Sequence, residues 1–319
     1  VTTESDPTGL MATERPVTLA VDVGGTKLAV GLVDGQGRVL VERRQPTASG
    51  DGEKTFARLA DLVQAVLKES KDVEVAGIGV GCGGPMTGSA ENRLVSPLNI
   101  DQWRDFPLAK RLAGLVGLPA VVDNDAKALA LAEGWCGAAK GCRDYLAMVV
   151  STGVGGGLVV DGRLVGGASG NAGHVGHMAV LPDGPLCRCG ARGCLEAVAS
   201  GPAIARMIGQ PASKASVEVR RKVGDQVGRA VGAVVNLLDL GLVVVSGSVA
   251  LGYGQDFFDA AQSALDGACG LSFTRGARIV PAGLGADGPL VGAAAVWHHF
   301  GDGTGISDRI GTVAEEDCG

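Results

Sequence analysis

No stretch of about 18 consecutive apolar residues occurs in this chain, so no membrane-spanning helix is expected. Blocks of lysine and arginine are missing too. The net charge is -6 and the pI is near 5.3, which excludes an obvious electrostatic footprint for nucleic acid or an anionic membrane. The first residues, Val1 to Pro16, lack a basic start followed by an apolar run, so they do not read as a secretory signal. A disulfide framework is also lacking. Five cysteines (Cys82, Cys136, Cys142, Cys269 and Cys318) are scattered, while the other three crowd together, which is a cytosolic pattern with a metal site. Glycine is abundant, 53 of 319 residues, but shows no period of three. That excludes a collagen-like chain and points to tight turns and close backbone approaches.

With 46% hydrophobic residues there is material for a sizeable core, and 319 residues suggest two domains or one large one. Two segments share one pattern. Val17 to Arg44 reads as a strand, a Gly-Gly turn, a strand, the turn Asp34-Gly35 and a third strand. Tyr145 to Gly167 repeats it, with a glycine-rich first turn and Asp161-Gly162 as the second. Helical spacing is expected over Lys54 to Ser70, Leu108 to Val116, Ala126 to Trp135, Val223 to Leu238 and Gly288 to His299. Buried strands are expected over Val75 to Gly84, Ala120 to Val122 and Leu242 to Val245. Residues 1–16 and 301–319 read as disordered. The remainder divides into an N-terminal α/β lobe over 17–122, completed by the helix 288–300, and a C-terminal α/β lobe over 123–287. A cleft between two such lobes is a natural ligand site.

Four motifs carry chemistry. In Asp22-Val23-Gly24-Gly25-Thr26-Lys27, glycine N–H groups can face phosphate oxygens, Asp22 can orient a metal-bound water, and Thr26 can bond a phosphate. A plain Gly-Gly hairpin is the simpler account of the same residues. Ser151-Thr152-Gly153-Val154-Gly155-Gly156-Gly157 fills the equivalent turn of the second meander, and the two turns could clamp a triphosphate. Neither has the P-loop spacing, and neither has the strand–glycine–helix context of a dinucleotide fingerprint. The third motif, Asp123-Asn124-Asp125, opens a helix after a short strand. One of these residues could cap that helix, but capping does not need all three. A carboxylate there can accept a proton from a sugar hydroxyl while a neighbouring amide reads adjacent hydroxyls. In the fourth, Cys187, Cys189 and Cys194 with His177 offer three thiolates and one imidazole, a set suited to tetrahedral zinc with no open position, hence structural, within a loop over 177–196.

On these motifs the sequence resembles the ROK family (repressors, open reading frames and kinases) from about Val17 to Phe300. The resemblance implies an α/β, two-lobed, actin-like (ribonuclease H-like) ATPase fold and an ATP-dependent sugar kinase acting on the 6-hydroxyl of a hexose, with Mg²⁺ and a structural Zn²⁺. Asp22, Gly24, Gly25, Thr26 and Lys27 look like the family's first phosphate motif, and Ser151, Thr152, Gly153 and Gly155 like the second. Gly247, in Val243 to Ser248, falls at the adenosine-side motif. Asp125 falls at the catalytic base, and Gly84, Asn124, Asp125, His177 and Glu196 at sugar contacts. His177 would also ligate zinc with Cys187, Cys189 and Cys194. A cytoplasmic homodimer is implied, with a sugar as substrate and neither nucleic acid nor membrane as partner.

One position departs from the pattern. His174 stands where the family usually has a glutamate, and a carboxylate only accepts hydrogen bonds whereas a neutral histidine accepts one and donates one. Two expectations follow: altered recognition at C2 or C3, as for glucosamine or 3-amino-3-deoxyglucose (kanosamine), or replacement without a change of sugar. The family also includes sugar-responsive repressors with an N-terminal helix-turn-helix module. Here Asp22 follows only 21 residues, most of them polar, too few for that module. A sugar sensor without catalysis is the remaining alternative, and Asp125 argues against it.

Overall fold

The computed structural model describes residues 16–47 and 50–301. Apart from Pro16 and Gly301, the segments expected to be disordered lie outside the described residues.

The chain starts with an antiparallel meander, β1 (Val17–Val23), β2 (Lys27–Val33) and β3 (Val39–Pro46). Helix α1 (Gly52–Glu69) follows. It begins at Asp51, whose carboxylate accepts the N–H groups of Glu53 and Lys54 at 2.9 and 3.2 Å, satisfying two donors that a helix start leaves unpaired. Phe56, Leu59, Leu62, Val63 and Val66 recur every three or four residues and form its buried face. Next come β4 (Val75–Cys82), the short hairpin β5 (Met86–Thr87) and β6 (Leu94–Val95), α2 (Leu108–Val116), β7 (Ala120–Asn124) and α3 (Asp125–Cys136). The first sheet has the order β3-β2-β1-β4-β7, with β4 parallel to both β1 and β7.

The second half repeats the plan. Strands β8 (Tyr145–Val150), β9 (Val154–Val160) and β10 (Arg163–Leu164) form the meander. They are followed by α4 (Leu195–Ala199), α5 (Gly201–Ile208), α6 (Val217–Leu238), β11 (Leu242–Ser246), α7 (Ser248–Tyr253), α8 (Gln255–Ala268), β12 (Arg278–Pro281) and α9 (Gly288–Phe300). The second sheet runs β10-β9-β8-β11-β12, the same order and the same mixture of antiparallel and parallel pairs. Helix α9 returns to pack on β4 and β1 of the first sheet, and α3 lies between α9 and the second sheet.

Each sheet has its own core, Leu19, Val30 and Val80 with α1 and α2 in the first, Leu146, Val243 and Val245 with α6 and α8 in the second. Helices α6 and α8 approach closely because small residues line the seam. A β-carbon at Gly228 would lie 2.1 Å from the Ala261 carbonyl oxygen. No helix among the described residues is long and apolar enough to cross a membrane.

Two differences from the sequence expectation have clear causes. Helix α6 starts six residues before Val223, because the Ser216 hydroxyl accepts the Val219 N–H and the first turns, rich in charge, face solvent. Helices α4, α5, α7 and α8 and strand β12 have no counterpart in the periodicity reading. The buried face of α8 is Phe257, Ala261, Ala264 and Leu265, and two alanines leave little apolar contrast.

Candidate active site

The β1–β2 turn, the β7–α3 junction, the β8–β9 turn and the β11–α7 turn all open onto one cleft of about 550 Å³ between the two sheets. The cleft is lined by Asp22, Gly24, Gly25, Thr26 and Lys27 on one side and by Ser151, Thr152, Gly153, Gly155 and Gly247 on the other. Gly84, Asn124, Asp125, His174, His177 and Glu196 also line it, so the sequence-proposed contacts share one cavity. Cys187, Cys189 and Cys194 stand behind His177 rather than in the cleft.

The β7–α3 junction assigns separate work to its three polar residues. Asn124 is the helix cap, its Oδ1 accepting the Ala126 N–H at 3.1 Å. Asp123 is fully buried and pairs with Lys127 and Arg93. Asp125 begins α3 and opens to the cleft, with Oδ1 accepting the Ala126 N–H at 2.9 Å. Protein packed around the cleft floor displaces water and raises the Asp125 carboxyl. The backbone N–H bonds and His174 oppose that rise, and Glu196 adds to it.

Asp22, at the end of β1, is pushed up from 3.8 to about 7, first by burial and then by the negative charge of Asp125. Lys27 and Arg44 work in the opposite direction. The Asp125 charge hinders the ionisation of Asp22, and a divalent cation bound at this floor would relieve that repulsion.

The turns are internally braced. Gly24 N–H bonds the Lys27 carbonyl at 3.0 Å, and the Thr47 hydroxyl donates to the Gly24 carbonyl at 2.7 Å. In the second turn Ser151 N–H bonds the Gly153 carbonyl at 2.9 Å, and the Ser151 and Ser248 hydroxyls lie 2.9 Å apart, joining this turn to the start of α7. Gly247 has φ of 103°, and a β-carbon there would meet the Val150 carbonyl oxygen at 2.3 Å, so glycine is required. Glu196, in the first turn of α4, accepts the Val154 N–H at 2.9 Å, which fixes its carboxylate beside the second glycine turn.

The ligand atoms of His177, Cys187, Cys189 and Cys194 lie within 4.8 Å of one another. Cys189 and Cys194 sulfurs are 3.7 Å apart, and His177 Nδ1 is 3.6 Å from Cys187 Sγ. A tetrahedral zinc with Zn–S near 2.3 Å separates two sulfurs by about 3.8 Å, so the residues fit that ion. Because Nδ1 turns to the sulfurs, the opposite edge of the His177 ring is left for the cleft.

Two contributors went unnoticed in the sequence. Asn99 lines the cleft beside Gly25, and its Oδ1 accepts a hydrogen bond from Arg188 of the cysteine loop at 3.0 Å. Asn171 contacts both Met86 and His174. Each is a single asparagine in an irregular loop, without periodicity or repeated spacing to mark it.

Comparison with known proteins places the chain in a family. The ROK family model matches residues 18–300. A glucokinase of Thermotoga maritima is 30% identical, over 92% of this chain and 98% of its own length. An N-acetylmannosamine kinase of Citrobacter koseri is 43% identical over 59% of this chain and 63% of its own. Among solved structures, a ROK family glucokinase from Streptomyces griseus in complex with glucose and AMPPNP superposes with a TM-score of 0.77 at 30% identity, covering 87% of this chain and 98% of that one. The fold is thus that of ROK glucokinases, the actin-like two-sheet ATPase fold.

Proposed function

Because this chain belongs to the ROK family and is a sugar kinase, we propose that it transfers the γ-phosphoryl group of ATP to the 6-hydroxyl of a hexose, with Asp125 as general base. The substrate class is glucose or a glucose-type amino sugar such as glucosamine or kanosamine. The observation that carries this reading is the position of Asp125: it stands at the start of α3, on the cleft floor, between two glycine turns. The 43% identity to an N-acetylmannosamine kinase favours a second reading, a 2-acetamido hexose.

Phosphoryl transfer demands positioning and charge neutralisation more than covalent chemistry. On this reading the turns Asp22–Lys27 and Ser151–Gly155 hold the nucleotide, with Gly247 on its adenosine side. Mg²⁺ would supply charge neutralisation at the phosphates, and Asp22 is the carboxylate placed to orient it. Asn124, His174, His177, Glu196 and the Gly84 backbone fix the ring. Asp125 accepts the proton of the attacking hydroxyl, and the burial that raises its carboxyl makes it a stronger proton acceptor than a free aspartate. The zinc site is structural: its ligands shape the pocket through His177. The units 17–122 with 288–300, and 123–287, close over the sugar and exclude water.

The test is ATP consumption with glucose, glucosamine, kanosamine and N-acetylmannosamine, with the phosphate located in the product. Asp125→Ala is expected to lower kcat by about 10²–10⁴-fold. Turnover close to wild type in that variant would remove Asp125 from its role. A wild type inactive on every sugar would favour a sensor or regulator.

A further inference from the structure

The loop between β10 and the cysteine cluster reaches from the second sheet to the β5–β6 hairpin through Asn171. Asn171 Nδ2 donates to the Met86 carbonyl at 2.8 Å, and Met86 N–H donates to Asn171 Oδ1 at 3.0 Å. One carboxamide thus satisfies both backbone groups of one residue, as a neighbouring β-strand would. Met86 follows Gly84 and Pro85 directly, so the anchored segment is the one that brings Gly84 into the cleft. The backbone of Asn171 does a second job, because its carbonyl oxygen lies 2.9 Å from His174 Nδ1. A carbonyl only accepts, so Nδ1 carries the hydrogen, and in neutral His174 the other nitrogen presents a lone pair. That nitrogen is the one nearest Gly84: a β-carbon on Gly84 would lie 3.6 Å from His174 Nε2.

The loop is also held from below. Lys127 Nζ donates to the Gly170 carbonyl at 3.1 Å, from inside the protein. Asn171 therefore sits between a buried anchor and the β5–β6 hairpin, its side chain on Met86 and its carbonyl on His174.

We infer that Asn171 is a positioning residue: its side chain pins the Gly84–Met86 segment while its carbonyl fixes His174 with Nε2 as an acceptor toward the ligand. This rests on the reading that the cleft binds a hexose. It assigns His174 Nε2 to a donor group on the sugar, a hydroxyl or an N–H, and it makes that half of the pocket rigid before nucleotide arrives. An error of about 1 Å in such a contact can cost on the order of 10²-fold.

Steady-state kinetics of Asn171→Ala, using the hexose of the four-sugar panel that the wild type turns over fastest, tests this. KM for the sugar is expected to rise at least about tenfold while KM for ATP stays within about twofold. Asn171→Asp keeps the acceptor for Met86 N–H but turns an anion on the Met86 carbonyl, so it is expected not to rescue. The chain has four histidines, which lets ¹⁵N-histidine NMR resolve His174, and the wild type is expected to show hydrogen on Nδ1. A general loss of structure would instead lower Tm and raise both KM values together, which overturns the inference. Unchanged kinetics in Asn171→Ala, or hydrogen on Nε2 of wild-type His174, overturns it as well. A wild type inactive on all four sugars overturns the hexose reading itself, and this inference with it.

Discussion

Lys127 Nζ lies 2.9 Å from Asp123 Oδ2 with both side chains buried, two residues from Asp125. The pair joins β7 to α3 one turn along the helix, and Arg93 brings a second cation to the same carboxylate. Removing one partner of a buried pair costs about 3–5 kcal/mol, because the remaining charge stays desolvated. Lys127→Met leaves Asp123 with Arg93, so a loss near the lower end, about 3 kcal/mol, is expected in urea unfolding. Asp123→Leu strands two cations and is expected to cost more. Equal losses for the two variants would show that Arg93 does not share the charge.

Asp22 makes stability depend on pH in a defined direction. Its carboxyl titrates near 7 when folded, against 3.8 as the ordinary value. Between those values the folded chain keeps a proton that the unfolded chain has lost. The contribution of Asp22 to stability is therefore complete below about pH 4, falls as pH rises, and levels off above about pH 7. At about 1.4 kcal/mol per pKa unit, the full span is about 4 kcal/mol. Asp22→Asn removes the dependence. The variant without ligands is expected to match the wild type at pH 4 and exceed its stability at pH 8, while losing kinase activity. Parallel pH curves for the two proteins would refute the assignment.

Most of the site was legible in the sequence because glycine turns and clustered cysteines are local signals. A turn that needs Gly24 and Gly25, or three cysteines within eight positions, announces itself without knowledge of the fold. The matching meanders were legible for the same reason, since alternation and Asp-Gly turns are short-range. Asn171 and Asn99 were not, because their partners, Met86 and Arg188, are 85 and 89 positions away. Asp123 was legible only as a possible cap. Its pairing with Arg93 depends on the segment before β6 folding over β7, where Val122 N–H bonds the Ala90 carbonyl and Arg93 bonds the Val122 carbonyl. His174 was read as offering one donor and one acceptor, but the Asn171 carbonyl takes the donor.

The cysteine cluster yields a metal prediction. Four ligand atoms within 4.8 Å of one another, with sulfur spacing that matches zinc, call for one zinc per chain by elemental analysis. Chelation, or Cys194→Ser, is expected to lower Tm and raise the sugar KM, since His177 would lose the bond that sets its ring. The KM for ATP is expected to change little. Full sugar affinity in a zinc-free protein would show that the thiols hold His177 without the ion.

His174 supplies a prediction about substrate charge. With Nδ1 donating to Asn171, neutral His174 offers the sugar an acceptor, as one oxygen of a glutamate would, but without negative charge. An ammonium group on the sugar gains less here than it would beside a carboxylate, whereas a hydroxyl or an amide N–H needs no charge to be recognised. His174→Glu restores the anion. Hydrogen bonds between charged groups are worth about 1.5–3 kcal/mol, against about 1 kcal/mol for neutral ones. The kcat/KM ratio of glucosamine to glucose is therefore expected to rise in His174→Glu by a factor of a few to about tenfold at about pH 7.5, where an ordinary imidazole is mostly neutral and an amine is still partly protonated. A ratio that falls, or does not move, would mean that position 174 does not face the sugar's amino substituent.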